Sequence, residues 1–163
     1  MALRNIVIYK SDGILRKKSR PVGPINGRIL ALLDDMAETM YDGNGVGLAA
    51  PQVGVLRRLV VVDVGTGLYK LINPKIIRRS GTQQGMEGCL SVPGLYGDVE
   101  RPDKVTVQAL DTDGKTIQVD GTGFLARAFC HEIDHLDGIM FLDKAVKGSF
   151  VRYSGTTNKG KSI

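Results

Sequence analysis

The chain has 163 residues, of which 42% are hydrophobic, which is typical of one domain with a sizeable buried core and excludes a disordered chain. No window approaches the roughly 20 apolar residues that a membrane span needs, and the first residues lack a signal-peptide core, so we expect a cytoplasmic protein. The net charge of +5 comes from scattered basic residues, which argues against sequence-specific nucleic-acid binding but allows transient contact with an anionic partner such as a ribosome.

The predicted elements follow in chain order. Apolar residues at helical intervals predict a first helix of about four turns in NGRILALLDDMAETMYDGNG, with Asn26 as its N-cap and an end near Asn44-Gly45. The run RLVVVDVG predicts a buried strand, and LYKLINPKIIRR predicts one or two more, broken around Pro74. Alternation on both sides of Asp113-Gly114 predicts a hairpin, and GFLARAFCHEIDHLDG predicts a second helix that stops at Asp137-Gly138.

The order of these elements predicts the fold class. Helix, strands and helix in succession indicate an α+β fold, with mixed or antiparallel β-sheets around the second helix, rather than alternating βαβ units. No repeat or linker divides the chain, so residues 1–146 should form one compact domain. From Lys147 onward the sequence is rich in Gly, Ser, Thr and Lys, which predicts that residues 147–163 are a loosely held, flexible tail.

The second predicted helix contains both histidines of the chain in an HExxH pattern. His131 and His135 are four residues apart and lie on one helix face, where their imidazoles could share one metal ion. Glu132 lies beside the first histidine and could take a proton from a water molecule at the metal. The alternative is a helix with two ordinary histidines and a solvated glutamate, because a pattern with three fixed positions also arises by chance.

Catalytic zinc-type sites need a third protein ligand. Phe141 stands where the metzincin pattern HExxHxxGxxH places its third histidine, and no Glu follows Glu132, which argues against an HExxH endopeptidase. Cys89, in MEGCLSVPG, is the strongest remaining donor, although a buried small hydrophobe is the alternative for it. Cys130 points about 100° around the helix from His131 and is expected to be packed. Two cysteines are too few for a disulfide framework, which favours reduced thiols.

Three separate blocks together indicate a family. They are GVGLAAPQ at 45–52, EGCLS at 87–91 and HEIDH at 131–135. With these blocks in order, the chain resembles the bacterial-type peptide deformylases, from GILRKKSRPV near its start to HLDGIMFLDK. The resemblance implies a metal-dependent hydrolase that removes the formyl group from formylmethionyl nascent polypeptides and releases formate.

The resemblance also implies a role for each matching residue. The metal ligands would be Cys89, His131 and His135, and the general acid/base would be Glu132. The oxyanion would face the side-chain amide of Gln52 and the backbone N–H of Leu90. The substrate strand would be lined by Val46, Gly47 and Gly88. The family implies Fe(II) as the metal, although one thiolate and two imidazoles also suit Zn, Ni or Co.

The helix that contains the histidines also predicts part of a substrate pocket. Phe124 and Ala128 precede His131 by seven and three residues, so they share its face and would form an apolar wall for a methionine side chain. Core packing is the alternative for both residues. A metal-stabilised peptide-binding module without catalysis is the rival function, but it would need neither Glu132 nor Gln52.

Overall fold

A computed structural model describes residues 2–10, 13–153 and 162–163. In these residues it contains two α-helices, α1 (Gly27–Asp42) and α2 (Phe124–Leu136). The strands are β1 (Gly47–Ala49), β2 (Leu59–Val62), β3 (Tyr69–Ser80), β4 (Gln83–Cys89), β5 (Val92–Arg101), β6 (Lys104–Leu110), β7 (Thr116–Thr122) and β8 (Val151–Arg152). Short 3-10 helices lie at Gly13–Arg16, Ala50–Val53 and Phe141–Asp143.

The strands form two antiparallel sheets. The larger has the strand order β1-β2-β3-β6-β7, and the smaller has the order β4-β5-β8. The predicted α+β class is confirmed, with antiparallel pairing between all the strands named above. None of the described helices combines the length and the apolar character that crossing a bilayer requires.

Strand β2 shows how the larger sheet is buried on both faces. Its successive side chains alternate between the faces of the sheet. Val60 and Val62 join the apolar cluster that contains α2, whereas Leu59 and Val61 join the cluster that contains α1. Because helices cover both faces, this strand reads as a continuous run of apolar residues.

The ends of both helices follow the predicted signals. The Asn26 side chain accepts a hydrogen bond from the N–H of Ile29 at 3.1 Å, which confirms it as the N-cap of α1. Helix α2 ends at Leu136, and Gly138 follows with a φ of 76°. A Cβ at Gly138 would lie 2.5 Å from the carbonyl oxygen of Arg16, so both the backbone conformation and the close approach require glycine.

Three parts of the chain differ from the sequence prediction. Strand β3 is one strand of 12 residues, with a register shift between Ile72 and Lys75 instead of a break at Pro74. The long hairpin of β4 and β5 carries no clear alternation and is not predicted. The predicted loose tail is partly paired, because β8 bonds to β5 and Ile163 is buried; residues 154–161 of that tail lie outside the described residues.

Candidate metal centre

The structure brings together the three predicted metal ligands. His131 and His135 project from α2, and Cys89 ends β4. Their ligand atoms all lie within 4.8 Å of one another, and all three side chains are buried. The four-residue spacing on α2 therefore places both imidazoles at the same thiol, although Cys89 is more than forty positions away in the sequence.

The donor atoms of this cluster fit a divalent metal ion. The Nε2 of His131 is buried and has no hydrogen-bond partner among the described residues. The Nε2 of His135 lies 3.4 Å from the Sγ of Cys89. Buried polar atoms are normally paired, and one thiolate with two imidazoles is a common donor set for transition metals. Burial, followed by the nearby His131, holds the pKa of His135 well below its usual range, so its imidazole stays neutral and able to bind a metal.

Cys89 lies among hydrogen-bond donors. Its Sγ is 3.4 Å from the Nε2 of Gln52, and both the N–H and the hydroxyl of Ser91 donate to it. Burial raises the pKa of the Cys89 thiol, and the charge of Glu132 raises it further, while the Ser91 donors act in the opposite direction. A bound cation favours the thiolate, which the same donors then stabilise. Sequence reasoning missed Ser91, although it is the last residue of the EGCLS block.

Glu87 holds the first histidine in place. Its Oε1 accepts from the Nδ1 of His131 at 2.8 Å and from Arg101 at 2.9 Å, and its Oε2 accepts from Arg101 at 2.8 Å and from Arg127 at 2.7 Å. Burial would raise the pKa of Glu87, but the hydrogen bonds and charges of Arg101 and His131 outweigh it and lower the pKa. Because Nδ1 is engaged, the Nε2 of His131 is left for the metal.

Glu132 is as buried as Glu87 but is not paired. Neither of its carboxyl oxygens has a hydrogen-bond partner within the part of the chain that the structure describes. The carboxyl packs against Gly47, where an added Cβ would lie only 2.4 Å from the Oε2. Burial raises the pKa of Glu132 well above its usual range, and the charge of Glu87 adds to that shift.

The side-chain amide of Gln52 has a fixed orientation. Its Oε1 accepts the N–H of Ala49 at 3.0 Å, so its Nε2 points the other way and donates to the Oγ of Ser91 at 3.1 Å. Leu90 occupies the turn directly after Cys89, and its side chain packs against Gly45, where an added Cβ would lie 2.7 Å from the Cδ1. Both residues predicted to face the oxyanion therefore lie next to Cys89.

The predicted substrate-binding residues lie in two environments. Val46, Gly47, Gly88 and Ala128 are buried. An added Cβ at Gly88 would lie 2.5 Å from the ring of Tyr96, so this ring covers the backbone there. Phe124, in contrast, begins α2 with its side chain 43% exposed, so the apolar wall predicted for it is not part of the buried core.

Other candidate ligands near α2 are engaged elsewhere. The Phe141 ring stacks on the His131 imidazole with 6.0 Å between centroids, so the position of a metzincin third ligand is filled by an apolar ring. Asp137 pairs with Arg58, and Asp143 pairs with Arg16. Cys130 packs in the cluster of α2 and the larger sheet, as predicted. The metal-ligand candidates thus remain Cys89 and the two histidines.

Comparisons with known proteins agree with this geometry. The model of the polypeptide deformylase family matches residues 3–150. A peptide deformylase of Acetivibrio thermocellus is 61% identical over 147 residues, which cover 90% of this chain and 86% of that protein. A peptide deformylase of Alkaliphilus metalliredigens is 56% identical over 147 residues, which cover 90% and 99%. The crystal structure of peptide deformylase from Thermotoga maritima superimposes with a TM-score of 0.86 at 37% identity and covers 90% of this chain and 99% of that one. The chain therefore belongs to the polypeptide deformylase family.

Proposed function

We propose that this chain is a metal-dependent hydrolase that removes the formyl group from formylmethionyl polypeptides, releasing formate and a free amino terminus. Members of the family act on the formylated ends of nascent chains. The observation that carries the proposal is the Glu132 carboxyl, which is fully buried near the Cys89 thiol and has no hydrogen-bond partner in the described residues. A glutamate that only stabilised the fold would be paired.

Cys89, His131 and His135 would hold one divalent metal ion, and we infer that Fe(II) is the native metal. Zn, Ni or Co could replace it in purified protein, because the same ligands suit these ions. When bound, the metal supplies a Lewis acid that lowers the pKa of water and polarises the formyl carbonyl. Glu87 would orient His131 throughout, since it bonds the Nδ1 of the imidazole and leaves the Nε2 for the metal.

Glu132 would act as the general acid/base. It would first take a proton from the attacking water and then deliver that proton to the amine that leaves the formyl carbon. Burial supports this role because it raises the pKa of the carboxyl toward the range in which a group both accepts and donates a proton near neutral pH. Gly47 would keep the carboxyl in place without a hydrogen bond, through direct packing.

Gln52 and the N–H of Leu90 would stabilise the oxyanion. The Ala49 N–H fixes the Gln52 amide before any substrate binds, so little reorganisation is needed in the transition state. A donor of this kind contributes about 3 kcal/mol to transition-state stabilisation in comparable sites.

The substrate would lie as a strand along Val46, Gly47 and Gly88. Its methionine side chain would contact Ala128, with Phe124 at the exposed start of α2 as the outer contact. Because the substrates are nascent chains, we place the protein in the cytoplasm in transient contact with the ribosome. Exposed basic residues would favour that contact.

Formate release from a formylmethionyl peptide tests the proposal directly. The protein is prepared without oxygen, loaded with Fe(II) and assayed against the formyl peptide and against the same peptide with an acetyl group. We expect formate and a free amino terminus from the first peptide only. A metal-loaded protein that releases no formate would contradict the proposal, and cleavage of internal peptide bonds would instead indicate an endopeptidase.

The two cysteines provide a matched pair that tests the metal site. Both are buried, but only Cys89 lies in the ligand cluster. Cys89→Ala should lose tight metal binding, because two imidazoles remain, whereas Cys130→Ala should keep a stoichiometric metal ion. Metal analysis after dialysis measures both variants, and retention of the metal by Cys89→Ala would rule out the thiolate as a ligand.

A further inference from the structure

Residues 162–163 lie against the segments that the proposed function assigns to the substrate. Ser162 forms a parallel bridge with Gly45, and the N–H of Val46 donates to the Ser162 carbonyl at 2.9 Å. On the other side, the N–H of Ile163 donates to the carbonyl of Gly88 at 3.1 Å. The two residues therefore connect the segment before β1 with the end of β4 through backbone hydrogen bonds.

The side chain of Ile163 is buried as deeply as the core. It is 1% exposed and belongs to the apolar cluster that also contains Val46 and Ala128. In contrast, Val146 and Val151 in the same terminal region are 46% and 40% exposed. The contact of Ile163 thus combines backbone pairing with the burial of one apolar side chain, which is how extended peptides bind at a sheet edge.

Strand β1 is at the edge of its sheet, and among the described strands it pairs only with β2. A substrate strand along Val46 and Gly88, as the proposed function places it, would pair with the same N–H and the same carbonyl that Ser162 and Ile163 use. The two ligands cannot bind together, because the Val46 N–H donates to one strand at a time and both strands would occupy the same position.

We propose that Ser162–Ile163 act as an intramolecular competitor of the substrate, so that the chain restrains its own activity until a formylated peptide displaces them. This inference rests on the proposed function. Tethering keeps the segment at a high effective concentration, so a few contacts are enough for frequent docking. Docking lowers the fraction of molecules that can bind substrate and raises KM by the inverse of that fraction, but it leaves the bound complex and its kcat unchanged.

The test compares the full chain with a chain that lacks residues 162–163 and with Ile163→Asp, which keeps the length but places a charge in the apolar cluster. If the segment is docked for about nine-tenths of the time, KM should fall about tenfold in both variants, with kcat unchanged. Val146→Asp is the matched control, since it introduces the same charge at an exposed site, and its KM should equal that of the full chain. Ile163→Leu should retain the high KM.

Hydrogen exchange gives a second readout that does not depend on turnover. The Val46 amide should exchange faster in the shortened chain because it loses the Ser162 carbonyl, whereas the Asp63 amide, which bonds the carbonyl of Val46, should not change. A synthetic peptide with the sequence of residues 157–163 should inhibit the shortened chain more strongly than the full chain. An unchanged KM in both variants overturns the proposal. Absence of formate release from every variant would instead contradict the proposed function, and exchange at Val46 would still report whether the segment docks.

Discussion

Glu87 and Glu132 are two buried glutamates near the candidate metal centre, one bonded to His131 and the other next to it in the sequence. The Glu87 carboxylate accepts four hydrogen bonds, one from His131, two from Arg101 and one from Arg127. Glu132, directly after His131 in α2, has none from any residue in the described ranges. The pKa of Glu87 is lowered because its partners outweigh burial, whereas burial raises the pKa of Glu132.

The difference is between a carboxylate that is fully paired and a carboxyl that has no partner among the described residues. A buried charge that is fully paired fixes its neighbours, and here it fixes the imidazole of His131 and the side chain of Arg127. A buried carboxyl without partners destabilises the fold, and such groups concentrate where a reaction needs them. The same residue type at the same depth therefore has two environments, which are set by the guanidinium groups near one carboxyl and the glycine beside the other.

The largest expected effect comes from Glu132→Gln. This substitution keeps the shape of the side chain but removes its proton transfer, so kcat/KM should fall about a thousandfold. The free energy of unfolding should not fall by more than about 1 kcal/mol, because no pairing is lost. Steady-state kinetics, metal analysis and denaturant unfolding measure the three quantities. Full turnover in a metal-loaded variant would show that the base lies elsewhere.

Glu87→Gln should produce the opposite pattern. It leaves Arg101 and Arg127 with a neutral partner in the buried network, so the free energy of unfolding should fall by about 3 kcal/mol. The metal should bind more weakly, by about tenfold or more, because His131 loses its orienting carboxylate. Unfolding by denaturant with the metal removed isolates the first effect. If Glu87→Gln were as stable as the parent chain, the pairing of Glu87 would not contribute to the stability of the fold.

Gly47→Ala sharpens the comparison from the side of Glu132. The added Cβ would lie 2.4 Å from the Oε2, so the carboxyl or the strand must shift. A displacement of about 1 Å at a catalytic group can lower the rate a hundredfold, and we expect a loss of that order in kcat. Gly23→Ala is the matched control, because nothing lies within 4 Å of a Cβ at that position. Equal rates for both variants would mean that the packing of Glu132 on Gly47 has no role in catalysis.

The two glutamates also show how far the sequence predicts this site. The HExxH spacing predicts the helix and places Glu132 beside a predicted ligand, because both depend on residues within one turn of each other. The partners of Glu87 are 14, 40 and 44 positions away, and only the pairing of β4 with β5 and the packing of α2 bring them together. No local pattern encodes such contacts.

The same limit applies to the fold. Helix α1, the β6–β7 hairpin and α2 follow from periodicity, caps and the turn at Asp113-Gly114, and the structure confirms them. Strands β4 and β5 contain glycines and polar residues, with Pro93 near the start of β5, so their pattern resembles a loop. They are stabilised instead by pairing with each other and by the ion pair between Arg101 and Glu87. The burial of Ile163 is likewise invisible in a sequence that reads as a polar tail.

Acidification gives the smallest expected effect and separates the two glutamates by the opposite signs of their pKa shifts. With its pKa lowered in the folded state, Glu87 stabilises the metal-free protein fully above the pKa of an unfolded glutamate, about 4.3. That contribution is lost as the pH falls toward the pKa of Glu87 in the folded state, because the unfolded state then binds one more proton than the folded state. The free energy of unfolding changes with a slope of up to about 1.4 kcal/mol per pH unit. Glu132 has the opposite sign, since its raised pKa favours folding at low pH and the benefit declines as the pH rises through that value.

Urea unfolding of the metal-free chain at a series of pH values below 5 should therefore show a flatter acid limb for Glu87→Gln than for the parent. For Glu132→Gln the limb should be as steep or steeper, and identical limbs in all three proteins would mean that neither carboxyl has a perturbed pKa.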